Sequence, residues 1–430
     1  MSVRKQILSN NIVLITEPVA GAKTAAIGFW FRVGSRFEPS DCRGVTHFVE
    51  HMLFKGTATR SAFDIAVAFD RIGGYVNAFT ERENMCVHCV VPAEHTETAL
   101  DVICDMTQNS VFDSEEIERE RAVIKSEIIS SLDDPEEAAL DAASEAIWPG
   151  HAVSASIAGS VDDVEHLSRL SIVDWYSAHV AGGFLAVCVA GRVDVDMIVR
   201  TLEKLPKRKE AEHSSNLVAP VWKSDIVFTK APFNQMQFFV QLPLKSPVDE
   251  DDYYSLAILN AIIGDTMSSR LFQSLREKGG FCYNVYSFLT FYSDAACWCT
   301  YSSSSKKDTG KVVKALLHEL KRLAEHGFTE EEKVAACEHL CGEEIIACEE
   351  MEYRMKRLYR NHSFGFPQRS PEETVACIRN IPRKKNESML QNLINFKQMN
   401  LLIYGAKPTM SAKKNITRIW ENFCFNGQDC

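Results

Sequence analysis

No run of about 18 apolar residues occurs in this 430-residue chain, so no segment has the length and character of a membrane-crossing helix. Basic charge is the minority sign. Against 58 Asp and Glu stand 47 Lys and Arg, a formal net charge of −11, which disfavours nucleic acid as a default partner and weakly favours basic peptides. The stretch Met1 to Ile12 has neither a long apolar core nor an Arg/Ser-rich composition, so no secretory signal or transit peptide is expected. A cytoplasmic location and no membrane partner follow as expectations. Cysteine is not scarce, but a disulfide framework is missing. The 14 cysteines are scattered through apolar contexts such as Ala186-Val187-Cys188-Val189, and read as buried free thiols of a reducing compartment. Cys337, His339 and Cys341 share a helical pattern with no fourth partner in sight, which fits packing better than a metal site.

The composition, 46% hydrophobic and 24% charged, is that of a fully folded globular protein, and the length exceeds what one hydrophobic core serves. The pattern breaks after Leu205, where Pro206 to Pro220 is polar, charged and bounded by prolines. This predicts a domain over residues 1–205, a linker over 206–225 and a second domain over 226–430. The same order of elements recurs on both sides. Ile27 to Val33 has its counterpart in Gln237 to Leu242, and Leu185 to Gly191 in Leu401 to Gly405, so the chain reads as a duplication.

Near the N-terminus the chain reads Thr46-His47-Phe48-Val49-Glu50-His51-Met52-Leu53-Phe54, an H-x-x-E-H pattern. On an α-helix His47 and His51 project one turn apart from one face, with Glu50 beside them. Neutral imidazoles suit zinc, and a neighbouring carboxylate that does not ligate the metal can take a proton from its water. The counterpart helix in the second half, Tyr254 to Ile263, has no His, so only the first half can bind the metal. A third ligand is sought in Asp113 to Ile129, a run of helix formers with an acidic start. Glu120 and Glu127 are seven residues apart there and share a face, so one could ligate and the other support, although a solvated charged helix has the same pattern. Gly73-Gly74 ends a helical pattern, and Tyr75 to Val91 follows as strand. As an edge strand it could capture an extended peptide by strand addition; as an internal strand it would carry a satisfied Asn77.

His47 to Thr57 together closely resembles the zinc helix of the pitrilysin/insulinase family of metallopeptidases, which includes the mitochondrial processing peptidases, and the likeness is nearest to their beta subunit. Gly34-Ser35-Arg36-Phe37-Glu38 resembles the family's turn into the site, and Gly73 to Thr80 its substrate-binding edge strand. The resemblance implies that Glu127 is the third metal ligand and Glu120 a supporting acid. It implies that Asn77 and Ala78 hold substrate backbone. Ser268 to Tyr283 resembles a signature of the family's second domain, by which Arg276 would hold a substrate carbonyl and Tyr283 would donate to the developing oxyanion. Read alone, these two are a surface Arg and a half-buried Tyr. The chain departs from the family at Asn84, where Thr is common, at Phe281 and Cys282, and at His151, which lacks a following proline. The segment Cys337 to Tyr359, with Glu349-Glu350-Met351-Glu352, also resembles the family but by itself reads as one helix with a solvated acidic face.

The implied fold is α+β: two homologous α/β-sandwich domains of mixed, largely antiparallel sheet, forming half of a clamshell. The implied function is a zinc-dependent endopeptidase with one Zn²⁺ per chain and Glu50 as general base, acting on unfolded peptides or presequences in an enclosed chamber. Dimerisation is expected, with itself or with a family paralogue. Two alternatives stand beside this: a non-catalytic structural or peptide-binding subunit, and a dedicated peptide-precursor maturase. Intact His47, Glu50, His51 and Glu127 argue against the first.

Overall fold

The computed structural model describes residues 3–210 and 217–426. Residues 211–216 of the expected linker lie outside the described residues. Two compact units are present, the first formed by Met1–Ser131, Ala155–Ser215 and Ile346–Ser370, the second by Leu132–Ser154, Asn216–Ile345 and Pro371–Cys430. Each is a sheet faced by helices, so the fold class is α+β with two domains.

The first unit is built on a six-stranded sheet ordered β1 (Arg4–Ile7), β2 (Val13–Pro18), β6 (Leu185–Gly191), β3 (Thr24–Phe31), β5 (Met85–Pro92), β4 (Tyr75–Thr80). All neighbours pair antiparallel except β2 with β6. The central strands β3 and β6 are buried on both faces, which is why they read as continuous apolar runs rather than alternating ones. One face packs against helices that include α1 (Val45–Met52) and α2 (Ala62–Ile72), through Phe48, Val49, Ile65 and Phe69. The other face is covered by the helix Met351–Phe364, whose Met355, Leu358 and Tyr359 bury against Val13, Ile15, Trp30 and Cys188. Tyr359 stacks on Trp30 with ring centroids 4.0 Å apart and donates its hydroxyl to Asn84 Oδ1 at 2.5 Å. Buried Glu17 accepts from Arg354 at 2.6 Å and from Arg357 at 3.0 Å, so a charge taken out of water is doubly paired.

In the second unit the five-stranded sheet runs β7 (Ile226–Lys230), β11 (Asn400–Gly405), β8 (Gln235–Leu244), β10 (Ala296–Ser305), β9 (Cys282–Phe291), with only β7 and β11 parallel. This repeats the order β2-β6-β3-β5-β4, so the duplication is present in the topology. Here too the second face is covered by a helix from the opposite half of the sequence, Pro135–Ile147. Small residues Ala139, Ala143 and Ala146 let it approach Phe239, Tyr301 and Leu402 closely. Gln241 Nε2 donates to Ala143 O at 3.0 Å and Asn400 Nδ2 to Ala146 O at 3.2 Å, so two buried NH₂ groups find acceptors at that contact.

The units therefore differ from a division at the linker by an exchange of one covering helix each. That exchange splits the helix expected over Cys337 to Tyr359 into Glu330–Ala347 and Met351–Phe364, because the chain passes from one unit to the other between them. Cys337 and Cys341 are buried in an apolar core, and His339 Nε2 faces Glu343 at 3.1 Å, an arrangement of packing and an ion-pair contact. Among the described residues no helix is long and apolar enough to cross a membrane.

Candidate metal centre

The helix α1 is short, and its N-terminal end is fixed by a side chain and a backbone approach that the fold delivers. Its N-cap Gly44 has φ +81°, and a Cβ there would lie 2.4 Å from Ala158 O, so glycine is required twice over. The orphan amides of the first turn are taken by Glu38, whose two carboxylate oxygens accept from Gly44 N at 2.7 Å and Thr46 N at 2.8 Å. Burial holds the Glu38 carboxyl above its ordinary pKa, partly offset by those donors. Thr46 Oγ1 accepts from Trp175 Nε1 at 3.0 Å.

With the backbone so held, His47 and His51 face the same way, with ring centroids 4.7 Å apart. The next wall is α4, the helix after α3 (Thr96–Asn109), spanning Ser114–Asp133 and capped by Asp113, which accepts from Glu115 N and Glu116 N. Arg121 ties it to α1, with its guanidinium 5.4 Å from the Phe48 ring centroid. The seven-residue offset between Glu120 and Glu127 on α4 sets the two carboxylates at different depths. Glu120 is 4% exposed and its Oε2 lies 3.0 Å from His51 Nδ1, while its Oε1 pairs with Lys55 Nζ at 2.5 Å. Glu127, half exposed, puts Oε2 3.3 Å from His51 Nε2.

His47, His51 and Glu127 each offer one ligand atom, all within 4.8 Å of one another, and no other such metal-capable group occurs among the described residues. A tetrahedral zinc with bonds of about 2.0–2.1 Å has ligand-to-ligand edges of roughly 3.4 Å, which the His51–Glu127 separation already meets. Burial, and then the charge of His51, push His47 down to about 4, so its imidazole is neutral at neutral pH with a lone pair to give. Two imidazole nitrogens and one carboxylate oxygen match the donor count of catalytic rather than closed structural zinc sites. The donors fit the metal.

Glu50 stands beside the ligands without joining them. Its Oε2 accepts from Thr80 Oγ1 at 2.5 Å, and burial raises its pKa above the ordinary value against that hydrogen bond. Thr80 lies on β4, the edge strand of its sheet, so the strand expected over Tyr75 to Val91 is a hairpin, β4 and β5, turning at residues 81–84. Gly73 at φ +66° ends α2, and a Cβ on Gly74 would lie 2.6 Å from Val91 Cγ1, so the pair is needed for the turn and the close approach. Strand alternation puts Val76 and Ala78 against the core on the α1 side and Phe79 on the opposite face. Exposed Asn77 accepts from Ala78 N through its own Oδ1 at 2.9 Å.

Arg276 and Tyr283 belong to the second unit. Arg276 sits on the helical turn Phe272–Lys278, its guanidinium 4.7 Å from the Phe272 ring centroid and 5.2 Å from that of Tyr283. Tyr283 is 76% exposed on β9, the edge strand of the second sheet, more open than the half-buried reading. His151 Nε2 is 2.9 Å from Val218 O, which settles its loop without a proline. Glu38, Lys55 and Thr80 were not legible as site residues, since their roles arise only from contacts across the fold.

Residues 13–161 match the family described as insulinase (peptidase family M16), and residues 166–339 match that described as peptidase M16 inactive domain. An uncharacterized zinc protease of Streptomyces coelicolor is 31% identical over 391 residues, covering 88% of this chain and 84% of its own. The uncharacterized zinc protease YmxG of Bacillus subtilis is 31% identical over 361 residues, covering 84% of this chain and 88% of its own. A crystal structure described as a peptidase M16 inactive domain from Pseudomonas fluorescens superposes with a TM-score of 0.86 at 16% identity, covering 95% of this chain and all of that one, which establishes the shared fold.

Proposed function

The chain belongs to the insulinase family, peptidase family M16, and from that premise we propose that it is a zinc-dependent endopeptidase in which His47, His51 and Glu127 hold the metal and Glu50 is the general base. The observation that carries the proposal is the convergence of those three donors with a separate, non-ligating carboxylate next to them. A zinc ion held there would acidify a bound water and polarise a substrate carbonyl. Glu50 takes the proton of the attacking water and later returns it to the leaving amine, and Thr80 keeps its carboxylate aimed through one hydrogen bond. Glu120 holds the far nitrogen of His51 and thereby the ring's orientation, while Lys55 holds Glu120. The free edge of β4, with Ala78 and the exposed Asn77, receives an extended peptide as an added strand, a mode largely indifferent to side chains. Arg276 and Tyr283 are carried as substrate-contacting residues on the resemblance of Ser268 to Tyr283 to the family's signature. Substrates are unfolded peptides, presequences among them, enclosed by a dimer of this chain or by its pairing with a family paralogue.

The test is cleavage of a quenched unstructured peptide and of a stable folded protein, with and without chelator. Expected are cleavage of the peptide alone, its loss on chelation, and its return with zinc. Glu50→Gln should bind zinc as before and lose about 10²–10⁴-fold in kcat. Full activity in that variant would contradict the assignment of the base, and a chain inert toward peptides would favour the non-catalytic subunit.

A further inference from the structure

The edge strand β4 is gripped from two sides, and only one grip involves the metal helix. On the α1 side Thr80 donates to Glu50. On the opposite side lies the helix Met351–Phe364, and the acidic segment that reads as solvated in the sequence reaches the strand there. Glu352, in that helix's first turn, accepts from the hydroxyl of Tyr75 on β4 and lies 3.3 Å from His88 Nε2 on β5. Tyr75 pairs with Val90 and Asn77 with His88, so the carboxylate touches both strands within two residues of Asn77. Lys356, one turn on, pairs with Glu352 at 2.6 Å and sits 5.2 Å from the ring centroid of Phe79. Tyr75 and Phe79 are thus held at the two ends of the strand, with exposed Asn77 between them.

The second unit repeats the device. On Pro135–Ile147, the helix that covers its sheet, first-turn Glu136 accepts at 2.5 Å from the hydroxyl of Tyr286 on β9, again the edge strand. A first-turn glutamate on a covering helix, bonded to an edge-strand tyrosine, therefore occurs in each half of the duplication. Simple helix docking does not require it, because Met355, Leu358 and Tyr359 already bury the apolar contact.

We propose that Glu352 is a positioning residue for peptide capture: through Tyr75 and His88 it holds β4 in place from the face opposite Glu50, so that an added strand lies at a fixed height beside the site. The kinetic consequence rests on the peptidase reading; the mechanical one does not. Both are measured on the full, zinc-loaded chain. In Glu352→Ala, amide hydrogen exchange over residues 75–80 should rise about tenfold or more while α1 and α4 keep their protection. The KM for an unstructured quenched peptide should rise about tenfold with kcat within about twofold and zinc content unchanged, the pattern of lost uniform binding. Tyr75→Phe should reproduce this, and the double variant should be little worse than either single one. Glu352→Gln, which keeps an acceptor for the tyrosine, should recover most of both readouts. Unchanged exchange at β4, exchange loosened equally through the first unit, or a fall in kcat at unchanged KM would each overturn the proposal. A wild-type chain that cuts no peptide, with β4 exchange still dependent on Glu352, would overturn the peptidase reading and leave the positioning role standing.

Discussion

Glu38 lies outside the metal-binding set, yet the first turn of the helix that carries both histidines depends on it. Its carboxylate accepts from Gly44 N at 2.7 Å and from Thr46 N at 2.8 Å, and both of those residues are buried. Water cannot readily replace the carboxylate, so Glu38→Ala leaves two buried amides unpaired at about 1–3 kcal/mol each, roughly 2–6 kcal/mol in all. The alanine also removes a partly desolvated charge, which is a gain, and the result should fall toward the lower half of that range. Glu38→Gln keeps one oxygen but turns its NH₂ toward the second amide, so it should cost about half as much. Urea denaturation of chelator-treated protein, followed by circular dichroism, separates the cap from any stabilisation by metal, which acts by mass action. Zinc affinity measured on the same variants should fall in the same order, since α1 presents His47 and His51. An alanine variant within about 0.5 kcal/mol of wild type, or a glutamine variant as damaged as alanine, would refute the view that this carboxylate organises the helix.

Two further outcomes are expected. Glu120→Gln removes the charged partner of His51 Nδ1 and leaves Lys55 without its ion pair, and should lower zinc affinity by about 10–100-fold in a competition titration, with global stability much less affected. His362 should contribute to acid sensitivity: burial, and then the charge of Lys5, push its pKa down from 6.5 to about 4. The folded chain therefore keeps this ring neutral where the unfolded chain protonates it, so its contribution is full above about pH 6.5 and is lost as pH falls toward 4. In His362→Gln the urea midpoint should drop less than in wild type between pH 7.5 and 5; parallel drops would exclude the residue.

The candidate metal helix was legible because helical periodicity alone places His47, Glu50 and His51 on one face. Periodicity also put Glu120 and Glu127 on a shared face, but it could not assign their roles. Depth distinguishes the two: Glu120 is buried beneath the ring of His51, whereas Glu127 stands at the exposed side of the same ring. The duplication was readable from two pairs of strands, since strand order follows from which apolar runs are buried on both faces. The helix exchange was not readable. Local pattern carries no record that Glu352 meets a tyrosine 277 residues earlier in the chain, so an acidic first turn looks like a solvated one. Thr80, Lys55 and Glu38 escaped for the same reason, each being an ordinary polar residue until the fold sets it against Glu50, Glu120 or the α1 amides.

The most direct test of the central claim is the zinc bound per chain after equilibration in metal-limited buffer, read side by side for the wild type and Glu127→Ala. The account predicts one tightly held zinc in the wild type and weak, readily dialysed binding in the variant, which retains only the two imidazoles. A wild-type chain that takes up no zinc, or a variant that holds it as tightly as wild type, would contradict it.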